Sequence, residues 1–176
     1  MCGGKGKRLG VDEKPMFEVC SAKLIEHSLN ALSNFEVIAI TSPHTPKTER
    51  FLRDRGIDVF RASGKGFIED YREAVLELSI VVPILVVSCD LVYIRENLIE
   101  DVVDFYFKSD KRALKVVNSR GAVGINVLDA FFIYEEQEEE IYRIGDNDVV
   151  NVNTLRDARR AEILCSISRG KCSQRG

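Results

Sequence analysis

The first fifteen residues of the chain combine glycines and cations in a pattern that can bind phosphate. Gly3, Gly4 and Gly6 fall within six residues and keep side chains away from the backbone. Successive N–H groups of such a loop can converge on an anion, and Arg8 and Lys14 add positive charge. A phosphate-binding loop and a loose basic N-terminus both fit these residues, so both interpretations stay open at this point.

A second candidate group follows the most hydrophobic segment of the chain. Residues 83–88 predict a strand at the centre of a sheet, and Asp90 comes directly after it. Ligands of open α/β sheets bind outside the carboxyl ends of the strands. A carboxylate in that position can hold Mg²⁺ as a hard oxygen ligand. The alternative is that Asp90 only caps a turn.

Alternating helical and strand periodicities predict the elements that position these residues. Predicted helices cover residues 22–32, 46–55, 67–78, 96–107 and 155–168. Predicted strands cover residues 35–41, 57–60, 83–88, 113–117, 122–128, 141–144 and 149–152. Ser21, Thr45 and Thr154 are the expected helix N-caps. We therefore expect one α/β domain over residues 1–168, with helices on both faces of a mostly parallel central sheet, and a polar tail over 169–176.

Composition excludes several classes of protein. A net charge of −3 does not suit a non-specific nucleic-acid binder. No apolar run approaches the ~20 residues that span a bilayer, and no signal peptide is visible, so we expect a cytoplasmic protein without membrane insertion. The five cysteines form no C-x-x-C pair, which argues against zinc, and their odd number argues against a closed disulfide framework. The acidic run at 135–140 is expected to be a solvated surface segment.

The glycine loop resembles a known signature. Gly-Gly-x-Gly-x-Arg followed by Lys14-Pro15 is similar to the motif of nucleotidyltransferases that join an NTP to a phosphorylated acceptor. Its glycine spacing differs from that of P-loop and dinucleotide-binding motifs. In the family a buried strand precedes the loop, whereas here only Met1 and Cys2 precede it. The resemblance therefore implies a Rossmann-like nucleotidyltransferase fold whose first strand is truncated or lies upstream.

Later motifs extend the resemblance to most of the chain. Ser88-Cys89-Asp90-Leu91, Gly124-Ile125-Asn126 and Asn151-Val152-Asn153-Thr154 occur in the order found in guanylyltransferases. Residues 41–48 and 63–70 resemble the archaeal adenosylcobinamide-phosphate guanylyltransferases of cobalamin biosynthesis. This resemblance implies an enzyme that moves GMP from GTP to adenosylcobinamide phosphate with Mg²⁺. A homodimer is among the expected assemblies. Two alternatives stay open: a related transferase with another acceptor, such as molybdopterin or phospholactate, and an inactive GTP-binding protein.

The resemblance also implies roles for the matching residues. Arg8, Lys14 and Asp90 are the expected catalytic residues; Arg8 and the glycines of the first loop would wrap the triphosphate, and Lys14 would reach the attacked phosphate. Asn153 would help Asp90 to hold the metal. The remaining nucleotide-site residues form two groups. The first group, which would face guanine, is Ser63, Gly64, Lys65 and Gly66. The second group is Gly124 and Asn126, and Gly124 would keep the acceptor side of the pocket open.

Overall fold

The computed structural model describes residues 1–3 and 6–172, without the side chains of Lys7 and of residues 169–172. In this part of the chain, strands and helices alternate. Gly4, one of the predicted phosphate-binding glycines, lies outside this part. The elements are β1 (Glu18–Val19), β2 (Ala22–Lys23), α1 (Leu24–Ala31), β3 (Ile38–Thr41), α2 (Pro46–Arg53), β4 (Asp58–Arg61), α3 (Phe67–Glu77), β5 (Pro83–Val87), β6 (Leu91–Tyr93), α4 (Leu98–Tyr106), β7 (Ala113–Asn118), β8 (Gly121–Asp129), β9 (Glu139–Arg143), β10 (Val149–Asn151) and α5 (Leu155–Cys172). None of the described helices is long and apolar enough to cross a membrane.

The α/β class is confirmed, but the strand pairing is mixed rather than mostly parallel. The largest sheet has the order β5-β8-β7-β9. β7 and β8 form a hairpin in which Asn118 pairs with Gly121. A two-residue connection joins only antiparallel strands, so β8 runs against β7. β5 also pairs antiparallel with β8, whereas β9 is parallel to β7, and β3 is parallel to β4.

Side chains of β5 alternate between two helical layers, as the period of a strand requires. Leu85 and Val87 share a hydrophobic cluster with α4 and the end of α1. Ile84 and Val86 point the other way and share a cluster with α3. The prediction of helices on both faces of the sheet is therefore confirmed at β5. The predicted central position of this strand differs from the described sheet, in which β5 is the edge strand and pairs only with β8.

An apolar cavity of about 310 Å³ separates β3 from β5. Met1 and Cys2 bridge its end through backbone hydrogen bonds to both strands. The Cys2 N–H donates to the Ile40 carbonyl at 2.7 Å, and the Met1 ammonium donates to the Val87 carbonyl at 2.8 Å. Beyond this bridge, the described strands that pair with β3 and β5 are β4 and β8 respectively, each on one side only. The prediction of a truncated or upstream first strand stays a prediction, and the cavity lies where such a strand would run.

Several element boundaries differ from those predicted. Ser21 is not a helix cap: it lies in the turn between β1 and β2 with φ of 67°, and α1 begins only at Leu24. β6 was not predicted, because three residues are too few to show a periodicity. The end of the acidic run is not merely a solvated segment, since Glu139 begins β9. Thr154 precedes α5 as predicted, but the helix continues past the expected end to Cys172.

Cys20 and Cys165 form a disulfide, contrary to the expectation from the odd number of cysteines. They are 145 residues apart, so no local spacing could indicate the pair. The bond joins the turn after β1 to the last helix. Next to it, the Cys20 N–H donates to the Glu162 carboxylate at 2.6 Å. The disulfide and this hydrogen bond therefore fix α5 against the N-terminal hairpin.

The cavity between β3 and β5 predicts the effect of an N-terminal extension. Five apolar β-forming residues placed before Met1 should continue the Met1–Cys2 bridge and fill the cavity. Each large apolar side chain buried there contributes about 1.5–3 kcal/mol. We expect the melting temperature to rise, measured by calorimetry against a Gly/Ser extension of equal length. Equal melting temperatures for the two extensions would contradict this account of the cavity.

Candidate active site

Lys14 brings together two of the residues that the sequence nominated as metal ligands. Its Nζ lies 2.5 Å from Asp90 Oδ2 and 2.7 Å from Asn153 Oδ1. The Lys14 side chain is only 11% exposed and that of Asp90 19% exposed, so the pair is shielded from bulk water. Asn153 Nδ2 in turn donates to Asn151 Oδ1 at 2.6 Å. Three segments remote in sequence therefore meet in one polar cluster.

The pairing of β6 with β10 places Asn153 beside Asp90. Asn151 is opposite Leu91 in this antiparallel pair, and the Val152 N–H donates to the Asp90 carbonyl at 2.8 Å. The start of α5 is fixed by Asp157, whose carboxylate accepts hydrogen bonds from the backbone N–H groups of Asn153 and Thr154. The short strand that the sequence did not reveal is thus the element that completes the cluster.

A pocket of about 240 Å³ opens next to this cluster, bordered by Lys14, Asp90 and Gly3 among others. Asp90 Oδ1 is buried and has no hydrogen-bond partner in the described part of the chain. A buried carboxylate oxygen without a partner is costly unless a ligand satisfies it. Among the described residues no group of three or more His, Cys, Asp or Glu side chains could hold a metal ion. A metal here would therefore depend on amide oxygens and on a ligand's own oxygens.

Cys89 lies between the end of β5 and Asp90 and is buried beside Cys2. A hydrogen bond with Cys2, and then burial, raise the pKa of the Cys89 thiol well above its ordinary value. A thiol in this state is neutral and a poor nucleophile. Cys89 therefore contributes to the buried packing at the pocket wall.

The N-terminal loop folds back on itself at Gly6. The Gly6 carbonyl accepts hydrogen bonds from Leu9 and Val11, and a Cβ at Gly6 would lie 2.6 Å from the Val11 carbonyl oxygen. Glycine is therefore required for the turn itself. Arg8 follows in a short 3₁₀ turn, is exposed, and does not border the pocket. Its predicted contact with a triphosphate stays a prediction.

The second glycine loop reaches the same pocket through Gly64 and Gly66, whereas Ser63 and Lys65 are exposed. Three of its backbone N–H groups are already engaged. Glu73 accepts from the Ser63 N–H at 2.9 Å. Asp70 accepts from the N–H groups of the next two residues at 2.8 and 3.2 Å. The loop is therefore held by α3, and these three N–H groups are not available to a base. The predicted guanine contacts of the loop remain a prediction.

Gly124 and Asn126 lie on β8. Gly124 has a φ of 89°, and a Cβ there would lie 2.8 Å from Ser88 Oγ, so glycine allows β8 to approach the segment before Asp90. Asn126 is two residues further on the same face, opposite Val86, and does not border the pocket. The structure thus gives Gly124 a packing role near the site, while the nucleotide roles of both residues stay predictions.

Glu13 was not singled out from the sequence, although it directly precedes Lys14. It is 4% exposed, and its carboxylate caps the N-terminus of α2. It accepts hydrogen bonds from the Lys47 N–H at 2.8 Å and from the Thr48 N–H and hydroxyl at 2.7 Å. Negative charge is favourable at a helix N-terminus. Since the next residue is Lys14, this cap anchors the backbone that presents the cation to the pocket. A buried acidic residue cannot be told from an exposed one by type alone, so no signal in the sequence marked it.

Comparisons with the sequences of known proteins give two matches. Residues 1–139 match the model of the MobA-like NTP transferase domain. An adenosylcobinamide-phosphate guanylyltransferase of Methanocaldococcus jannaschii is 35% identical over 190 residues, covering 93% of this chain and 94% of that protein.

Two solved structures share the fold at low sequence identity. Molybdopterin-guanine dinucleotide biosynthesis protein A from Archaeoglobus fulgidus matches with a TM-score of 0.68 and 20% identity, covering 94% of this chain and 96% of that one. CMP:2-keto-3-deoxy-manno-octonic acid synthetase complexed with CTP matches with a TM-score of 0.69 and 11% identity, covering 87% and 91%. The sheet and helices described above are therefore an arrangement found in nucleotidyltransferases.

Glu13→Ala should destabilise the fold, because it leaves the N-terminus of α2 without its buried acceptor. Loss of hydrogen bonds to a charged group predicts a decrease of about 2–4 kcal/mol in the free energy of unfolding. Urea denaturation measures this decrease, and Glu18→Ala is the matched control because the Glu18 side chain is 73% exposed. Equal losses in the two variants would show that the cap is not a stabilising contact.

Proposed function

The chain belongs to the MobA-like NTP transferase family and to its adenosylcobinamide-phosphate guanylyltransferases, and from this premise we propose that it transfers GMP from GTP to adenosylcobinamide phosphate. The products would be adenosylcobinamide-GDP and pyrophosphate, in cobalamin biosynthesis. The observation that carries the proposal is the cluster of Lys14, Asp90 and Asn153 at the edge of the pocket. A cytoplasmic location and a homodimer are part of the proposal.

The reaction needs positioning and charge neutralisation more than a base. A phosphate oxygen of the acceptor attacks the α-phosphorus of GTP, a new P–O bond forms, and the bond to the β-phosphate breaks as pyrophosphate leaves with its electron pair. The acceptor phosphate is already anionic, so no proton must be removed from it. Catalysis then rests on holding the reactants in line and on stabilising charge in the transition state. The residue types around the pocket suit this chemistry.

Lys14 is the cation that we assign to the attacked phosphate. Two of the three N–H donors of its ammonium group are engaged by Asp90 and Asn153, which leaves one for a phosphate oxygen. The buried ion pair fixes the side chain before substrate arrives. Gly3, which borders the same pocket without a side chain, allows phosphates to approach the backbone there. Arg8 would add a second cation from the exposed turn.

The oxygen atoms beside Lys14 fit a divalent metal ion. Asp90 Oδ1 is a buried oxygen without a partner among the described residues, while the amide oxygens of Asn153 and Asn151 accept hydrogen bonds from Lys14 Nζ and Asn153 Nδ2. Mg²⁺ binds oxygen ligands and is usually held by one or two carboxylates together with substrate phosphates. We propose that Asp90, helped by Asn153, holds Mg²⁺. The ion would neutralise phosphate charge when bound.

Incubation with GTP, Mg²⁺ and adenosylcobinamide phosphate tests the proposal, with pyrophosphate release and product mass as readouts. We expect transfer with GTP and little with ATP, CTP or UTP. Molybdopterin and phospholactate, supplied as alternative acceptors, should give no product. Transfer to one of these instead would replace the acceptor in the proposal. No pyrophosphate release with any acceptor would overturn the assignment as an active transferase.

Asp90→Asn should leave the fold intact and remove most of the activity. Asparagine preserves the shape of the side chain and one acceptor oxygen for Lys14, but it deletes the charge that would hold the metal. Weaker stabilisation of phosphate charge should lower kcat on the order of a hundredfold or more.

The measurements are kcat and KM for GTP at two Mg²⁺ concentrations, together with the melting temperature. Asp104→Asn, on the exposed side of α4, is the matched control. Near wild-type turnover with unchanged Mg²⁺ dependence would remove Asp90 from the metal site.

A further inference from the structure

Asp70 is a buried carboxylate on the wall of the pocket that the reaction described above does not use. It lies in the first turn of α3 and is 6% exposed. It borders the same 240 Å³ pocket as Lys14 and Asp90, next to Gly64 and Gly66. An acidic side chain buried beside a predicted nucleotide site needs an explanation, because the phosphates of a nucleotide would repel it.

The two oxygens of Asp70 have different surroundings. Oδ1 accepts the N–H groups of Gly64 and Lys65, and so it holds the second glycine loop. Oδ2 accepts no hydrogen bond from any residue in the described ranges. It faces the first glycine loop: a Cβ built on Gly3 would lie 3.8 Å from it. One oxygen of the carboxylate is therefore structural, and the other has no partner among residues 1–3 and 6–172 and can accept a hydrogen bond from a ligand.

Three N–H groups of the second glycine loop are not available as donors to a base. The N–H groups of Ser63, Gly64 and Lys65 are bound by carboxylates of α3, so they cannot donate to a base. A base next to Asp70 Oδ2 must supply the donor of a hydrogen bond to this oxygen. Guanine presents two adjacent donors, N1–H and the 2-amino group. Adenine presents an acceptor at N1 and has no 2-amino group, and hypoxanthine has N1–H without the 2-amino group.

We propose that Asp70 is a specificity-determining residue that accepts a hydrogen bond from the 2-amino group of guanine through Oδ2. This inference rests on the proposed function, since it assigns the base of the nucleotide to the Gly64–Gly66 side of the pocket. The phosphates would then extend from the base past Gly3 toward Lys14. Asp70 would lie at the base end of the nucleotide and Lys14 at its phosphate end.

Calorimetry with GTP and ITP, whose bases differ only in the 2-amino group, tests the inference on the wild-type protein. A hydrogen bond to a charged acceptor predicts about ten- to a hundredfold tighter binding of GTP. Asp70→Asn places an amide where the carboxylate was and can still hold the loop through its oxygen. This variant should lose most of the preference for GTP while its affinity for ITP changes little.

Glu73→Gln is the matched control, since Glu73 holds the same loop from the same helix but does not border the pocket. Any loss of affinity in this variant should be equal for GTP and ITP. Equal binding of GTP and ITP by the wild type would overturn the inference, even if Asp70→Asn failed to fold. An equal loss for both nucleotides in Asp70→Asn would also overturn it, because Asp70 would then act only on the loop.

The assay separates this inference from the proposed function. Binding is measured without acceptor, whereas transfer is measured by pyrophosphate release. A preference for GTP over ITP without any transfer would overturn the proposed enzyme and support Asp70. Transfer together with equal binding of the two nucleotides would support the proposed enzyme and overturn the role of Asp70.

Discussion

The ion pair between Lys14 and Asp90 is the contact on which the arrangement of the site depends. It joins residues 76 positions apart, and the hydrogen bond from Lys14 to Asn153 spans 139 positions. These bonds hold three segments together at one point: the N-terminal loop, the segment after β5 and the start of α5. Removing either partner of such a shielded pair leaves a charge without compensation, which costs more than an exposed pair would. The same pair places a cation and a carboxylate beside the pocket, so stability and chemistry share one constraint.

Carboxylates that bind backbone N–H groups recur in the segments that carry the site residues. Asp70 and Glu73 hold the second glycine loop from α3, and Asp157 holds the start of α5. Glu13 works in the other direction, from the N-terminal loop onto α2. Hydrogen bonds to a charged acceptor are stronger than those between neutral groups. Loops rich in glycine lose much conformational entropy on folding, and these contacts offset part of that loss.

Local patterns in the sequence predicted the features of the fold that depend on local interactions, such as the starts of helices and the positions of strands. Thr154 precedes α5, Asp90 follows shortly after β5, and α3 begins after Gly66, as the motifs and periodicities indicated. The convergence of Lys14, Asp90 and Asn153 was expected only through resemblance, since no periodicity relates them. Nonlocal features escaped prediction. β6 is too short to show a periodicity in the sequence. The antiparallel direction of β5 against β8 depends on a partner strand about 40 residues later. Asp70 cannot be distinguished from an ordinary surface acidic residue until its burial is known.

The disulfide gives the two halves of the site different covalent topology. Cys20 and Cys165 close the intervening chain into a ring that contains Asp90 and Asn153. Residues 1–19, with the glycine loop and Lys14, form an arm outside the ring. The arm is anchored by the bonds of Met1 and Cys2 to the strands and by the contacts of Glu13 and Lys14. A state in which only the arm detaches would keep the ring closed, yet it would lack the cation and leave Asp90 without its partner. Mild proteolysis that removes the arm would thus yield a shortened domain with half of the site.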